Sequence, residues 1–264
     1  MSPHFLKRHG VIFTILWQVL ICFFITMAVI IFLYLCQARD KETIGIVAYL
    51  AVILFYYFSI RKRQSFEPIG HCSWKSFLII YGFSVVYLGI YALICLPVQT
   101  ITPLPYVAYV GLISFIFVGW AEELIFREYF MGKMMQHGYK PWTAILVSAF
   151  FFSIAHSPEN LYDIIPSLPL GILFGWLYIK TKDLGIPIAL HCCWNMIAWL
   201  LKRSEIWEST DIENAAPVIT AAFPQSLSYE YYVIYALLGW LIFIVAIFLI
   251  AKKIGGRYVA QCIK

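Results

Sequence analysis

Charge is what this chain has least of. Only 12% of its 264 residues are Asp, Glu, Lys or Arg, against 62% that are hydrophobic, and the mean hydropathy is +0.82. Such values lie far outside the range of soluble globular domains. Cysteine is present without pattern: Cys22, Cys36, Cys72, Cys95, Cys192, Cys193 and Cys262 are odd in number, mostly inside apolar runs, and form no C-x-x-C pair. A disulfide framework and a thiolate zinc site are thereby excluded. The H-E-x-x-H pattern of metalloproteases is missing, as are internal repeats and low-complexity tracts. The first apolar run has no small-residue cleavage site, so it reads as a retained span.

What is there is a succession of apolar runs: Gly10 to Cys36, Ile44 to Ile60, Ser76 to Leu96, Tyr106 to Met131, Trp142 to His156, Ile164 to Tyr178, Ile186 to Leu201 and Tyr231 to Ala251. They predict an all-α, polytopic membrane protein of about eight transmembrane helices. Several runs fall short of the ~20 residues that cross a bilayer, so some helices are expected to be tilted, buried or irregular at their ends. Three parts follow: framework helices over 1–96, a working core over 106–201, and a polar loop, last helix and basic tail over 202–264. Between the first two lies Pro97 to Pro105, with three prolines and no charge, read as an extended connection.

Fourteen of the Lys and Arg residues fall on one side of this arrangement and four on the other, namely Arg39, Lys41, Lys202 and Arg203. The excess puts both termini in the cytoplasm, with the plasma membrane as the expected location. It makes the net charge of +5 a topology signal, with no nucleic-acid partner implied. On the same reading Arg61, Lys62 and Arg63 form a positive-inside stop, and His71 is a solvated loop residue.

The fourth run contains the anomaly, Glu122-Glu123-x-x-x-Arg127. Three charges inside an apolar helix cost roughly 7 to 10 kcal/mol before any pairing. Glu123 and Arg127 are four apart, hence on one face and able to form an ion pair. Glu122 lies about 100° round the helix and needs a partner from elsewhere. His156 is the sole histidine of the fifth run: Glu122 stands 16 residues before Gly138 and His156 stands 18 after it, so an antiparallel hairpin brings them level. In the seventh run His191 and Asn195 are four apart and project from one face as a donor pair. A carboxylate beside an imidazole can deprotonate water, while a His and an Asn can donate to the oxyanion formed on a carbonyl. Ser153, Ser157 and Cys192 show no committed base; the two serines read as helix-end residues and Cys192 as a small apolar filler. One tension remains: His191 starts only about eight residues from its inner loop, so some helix must be bent, shifted or re-entrant.

Glu122-Glu123-x-x-x-Arg127, Phe152-x-x-x-His156 and His191-x-x-x-Asn195, in this order and each in an apolar helix, resemble the three motifs of the CAAX protease and bacteriocin-processing (Abi) family of intramembrane glutamic proteases. The likeness covers Ile113 to Leu201. It implies an eight-helix endopeptidase in which Glu122 and His156 activate water, and His191 with Asn195 forms the oxyanion hole. Glu123, Arg127 and Phe152 would support the site, and no cofactor would be needed. The implied substrate is a membrane-associated or lipid-modified protein or peptide cut near its end. Glu128 departs from the family, which often has Gly after the Arg. Three rivals predict different behaviour: a zinc site made of the two His and a Glu, a non-proteolytic scaffold or immunity protein of the same fold, and a transporter with a carboxylate relay.

Overall fold

The structure, a computed structural model, describes residues 3–38, 41–62, 68–95, 98–101, 106–156, 164–206, 219–221, 241–250 and 252–253. Among these, eight helices follow one another. They are α1 (Pro3–Leu35), α2 (Lys41–Phe55), α3 (Trp74–Cys95), α4 (Tyr106–Glu123), α5 (Pro141–Ala155), α6 (Ile164–Thr181), α7 (Gly185–Ile206) and α8 (Leu241–Ile250). The all-α reading holds, and each apolar run has its helix. The extended connection contains a short strand, β1 (Val98–Ile101), which pairs antiparallel with β2 (Ile219–Ala221). Residues 96–97 and 102–105 of that connection lie outside the described residues, as do Ser157 and residues 231–240 of the last apolar run.

Two stretches are long and apolar enough to cross a membrane by themselves, Gly10–Leu35 and Thr43–Arg61; Trp74–Tyr87, Pro141–Ala155 and Leu241–Ile250 are shorter apolar helices. The first exposes large side chains along most of its length, among them Phe13, Phe24, Phe32 and Leu35. An exposed apolar face of this extent calls for lipid or another apolar surface to cover it.

Two helices end in wider turns. α2 continues as a π-helical segment, Tyr56–Arg61, and α4 continues as another, Leu124–Met131, before a last α-turn, Gly132–Gln136. A π segment displaces carbonyls from the α ladder. The Ser148 hydroxyl of α5 takes up one of them, donating to the Phe126 carbonyl at 2.7 Å. From Tyr106 to Gln136 the chain runs on for about 46 Å at about 1.5 Å per residue. The turn into α5 uses Gly138, at φ 80°, and Pro141 at the first position of the new helix.

α5 packs on α6, α4 on α2 and α7, and α3 on α7. Two glycines permit the close approaches that matter here. A Cβ on Gly119 of α4 would lie 2.9 Å from the Cys192 sulfur of α7, and one on Gly171 of α6 would lie 3.0 Å from the Ala149 Cβ of α5. The turn between α6 and α7 is also fixed. Lys182 takes a left-handed conformation at φ 55°, and Asp183 Oδ1 accepts from the backbone N–H groups of Gly185 and Ser73, both at 3.0 Å. His71 keeps an exposed side chain, as read, but its loop is docked. Its backbone N–H donates to the Lys182 carbonyl, its own carbonyl accepts from Leu184 N–H, and its Nε2 lies 3.7 Å from Asp183 Oδ2.

That docking removes the depth tension. The α6–α7 turn sits against the loop between α2 and α3, and the Cys72 thiol feels both the Asp183 and the Glu128 carboxylates. The turn is therefore near the level of Glu128, well above the Gly138 turn, and about eight helical residues then carry His191 up to the glutamates. The helix is shifted, as one of the three expected solutions allowed.

Candidate active site

Four helices supply the site. Glu122 and Glu123 end the α-helical part of α4, Phe152 and His156 close α5, Phe174 comes from α6, and His191 from the second turn of α7. Glu123 and Arg127 form the ion pair their spacing predicts, Oε2 to Nε at 3.1 Å, with both side chains fully buried. Arg127 also donates through Nη2 to the Gly171 carbonyl at 3.4 Å, and its guanidinium lies 4.2 Å over the Phe152 ring and 5.6 Å from that of Phe174. A desolvated guanidinium over an aromatic face gains cation–π attraction of about 2 kcal/mol, which offsets part of its burial.

The other oxygen of Glu123 accepts from His191 Nδ1 at 2.9 Å. This contact was not legible in the spacing, which paired His191 only with Asn195. The same carboxylate thus holds Arg127 on one side and orients the His191 ring on the other, while Phe174 stacks on that ring at 5.4 Å. Fixing Nδ1 leaves Nε2 of His191 pointing at Glu122, whose Oε2 is 3.6 Å away. His156 approaches the same oxygen from α5, Nε2 to Oε2 at 3.8 Å. Its Nδ1 is bonded to the Phe152 carbonyl of its own helix at 2.8 Å. Since a carbonyl only accepts, the proton of that bond sits on Nδ1, and in the neutral ring Nε2 carries the lone pair facing Glu122.

The level hairpin expected from residue counting is therefore present, and the site has a fully buried back and a more exposed front. Glu123, Arg127 and His191 are buried, the Glu122 side chain is 17% exposed and that of His156 is 42% exposed. Phe152 joins the two halves, touching Arg127 with its face and lying edge-on to His156 and His191 at 4.6 and 5.6 Å. Asn195 is half-buried one turn beyond His191 and makes no hydrogen bond among the described residues. Ser153 donates to the Ala149 carbonyl and Cys192 faces the Ile116 carbonyl of α4, so neither approaches the glutamates as a nucleophile. Among the described residues no group of three His, Cys, Asp or Glu side chains is spaced to hold a metal ion.

Phe174, Gly119 and Gly171 are the site residues that motif reading missed. A ring stacked on a histidine and two glycines at helix crossings have no sequence signature apart from apolar context, because their roles depend on which helices are neighbours.

In this mainly helical, apolar protein a buried glutamate–arginine–histidine chain stands behind a more exposed glutamate and histidine. A family model described as type II CAAX prenyl endopeptidase Rce1-like matches residues 104–197, the segment that carries Glu122, Glu123, Arg127, Phe152, His156, His191 and Asn195. Over this segment the chain resembles the CAAX protease family, whose members are membrane-embedded, protease-type hydrolases. No curated protein and no solved structure matches the chain.

Proposed function

We propose that this protein is an intramembrane endopeptidase of glutamic type, which hydrolyses a peptide bond near the end of a membrane-associated or lipid-modified protein or peptide. The observation that carries the reading is the position of Glu122 Oε2, 3.6 and 3.8 Å from two imidazole Nε2 atoms at the solvent-touched end of a buried polar chain. These distances suit a water bonded to Glu122 and His156. Both offer lone pairs, so both of its protons are taken up and an oxygen lone pair is directed at a carbonyl carbon. Glu122 accepts the proton as the C–O bond forms and passes it to the leaving amine as the C–N bond breaks.

As the imidazolium, donating from Nδ1 to Glu123, His191 is placed to donate from Nε2 to the oxyanion, with Glu123 behind it as counter-charge and Arg127 balancing Glu123. Asn195 is the second donor in this scheme and reaches the oxyanion once substrate is bound. Eight membrane crossings with both termini in the cytoplasm, in the plasma membrane, follow from the run lengths and the Lys/Arg asymmetry.

The test is cleavage of an internally quenched, farnesylated CAAX peptide by purified protein in detergent. Wild-type protein is expected to cleave it with or without EDTA, and Glu122→Gln to lose cleavage while keeping its folded yield. Full activity in Glu122→Gln would end the reading, and loss of activity on chelation, restored by zinc, would replace it with a metal-dependent one.

A further inference from the structure

A second buried ion pair lies outside the machinery just described. Glu128 Oε1 is 3.4 Å from Arg61 Nη1, with the carboxylate buried and the guanidinium half-exposed over the Tyr57 ring. The two residues belong to the two π-helical segments: Arg61 is the last residue of Tyr56–Arg61, and Glu128 lies within Leu124–Met131. Fully buried Tyr56, which opens the first segment, sits beside the same carboxylate.

An α-helix fixes the rotation of each residue through its i→i−4 ladder. A π segment carries an extra residue in that ladder, so neighbouring contacts help to settle the rotation of its side chains. Arg127, the cation that holds Glu123, is in this segment and directly precedes Glu128. A buried carboxylate is costly unless paired, so Glu128 stays where Arg61 is. We propose that the Arg61–Glu128 pair is a positioning device for the active site: it ties the end of α2 to the π segment of α4 and so sets the rotation at which Glu122 and Glu123 meet His156 and His191. This gives Arg61 a role beyond topology. The kinetic readout rests on the protease reading; the geometric one does not.

The experiment compares Glu128→Gln, Arg61→Gln, Arg61→Lys and the double variant Arg61→Gln/Glu128→Gln with wild type. It measures kcat and KM on the farnesylated CAAX peptide, the thermal melt in detergent, and the 15N resonances of the His191 imidazole in micelles. Each Gln single is expected to lower kcat about tenfold with KM changed less than about twofold, and to shift the His191 Nδ1 resonance. Arg61→Lys keeps kcat within about threefold, and the double variant recovers part of the loss because no charge is left unpaired. A lowered melt with kcat per folded molecule and the His191 resonance both unchanged would overturn the proposal. If wild type does not cleave, the protease reading falls and the His191 resonance decides alone: a shift in the Gln singles supports the positioning role, and none refutes it.

Discussion

Glu123→Gln severs two contacts at once. The amide keeps the shape of the side chain but removes the negative charge between Arg127 Nε at 3.1 Å and His191 Nδ1 at 2.9 Å. Arg127 then retains the 3.4 Å bond to Gly171 and the Phe152 and Phe174 rings, with no carboxylate bonded to it, while fully buried. Leaving one member of a buried pair uncompensated costs about 3 to 5 kcal/mol, which for a chain of this size corresponds to a fall in melting temperature of about 6 to 20 °C. Replacing both charges in Glu123→Gln/Arg127→Met removes the orphaned cation and should return much of that loss. The assay is thermal unfolding in detergent followed by tryptophan fluorescence, run on wild type, the single and the double. Stability of the single within about 2 °C of wild type, or a double variant less stable than the single, would refute the account of Glu123 as the hub of the buried chain.

Other expectations follow from the same geometry. His156→Ala and His191→Ala should each reduce turnover of the farnesylated peptide by about 10²–10⁴-fold, the scale of acid–base assistance, and Asn195→Ala by less; equal effects of all three would argue against their separate roles. Gly119→Ala should cost about 1 to 3 kcal/mol in the melt, because its Cβ would meet the Cys192 sulfur at 2.9 Å, and adding Cys192→Ala should recover part of it. Burial chiefly, with the Asp183 and Glu128 carboxylates adding, pushes the Cys72 thiol up to about 12, so its reactive thiolate is scarce at pH 8.5. Iodoacetamide at that pH should therefore label exposed Cys36 well before Cys72, and equal labelling rates by mass spectrometry would contradict this.

Sequence reading located the helices because long apolar runs leave few alternatives, and located the glutamates and histidines because charge inside such runs is costly. The Glu123–Arg127 pair was legible too, since it lies within one helix and obeys one period. Contacts between helices were not. That Glu123 reaches His191, that Phe174 stacks on the same ring, and that Glu128 finds Arg61 all depend on which helix lies beside which, and hydropathy is silent on neighbours. The π segments were hidden for a related reason: an apolar stretch reads the same at 3.6 or 4.4 residues per turn. The docking of the His71 backbone was hidden because its partners, Lys182 and Leu184, lie more than a hundred residues further along the chain.

His156 is the cap residue of α5, and its ring is tethered to the carbonyl of Phe152 one turn back. The tether holds only while that final turn is wound. Unravelling one turn would swing the imidazole away from Glu122 and leave the rest of the bundle intact, so heat would silence the protein by fraying a helix tip well before the molten transition of the whole.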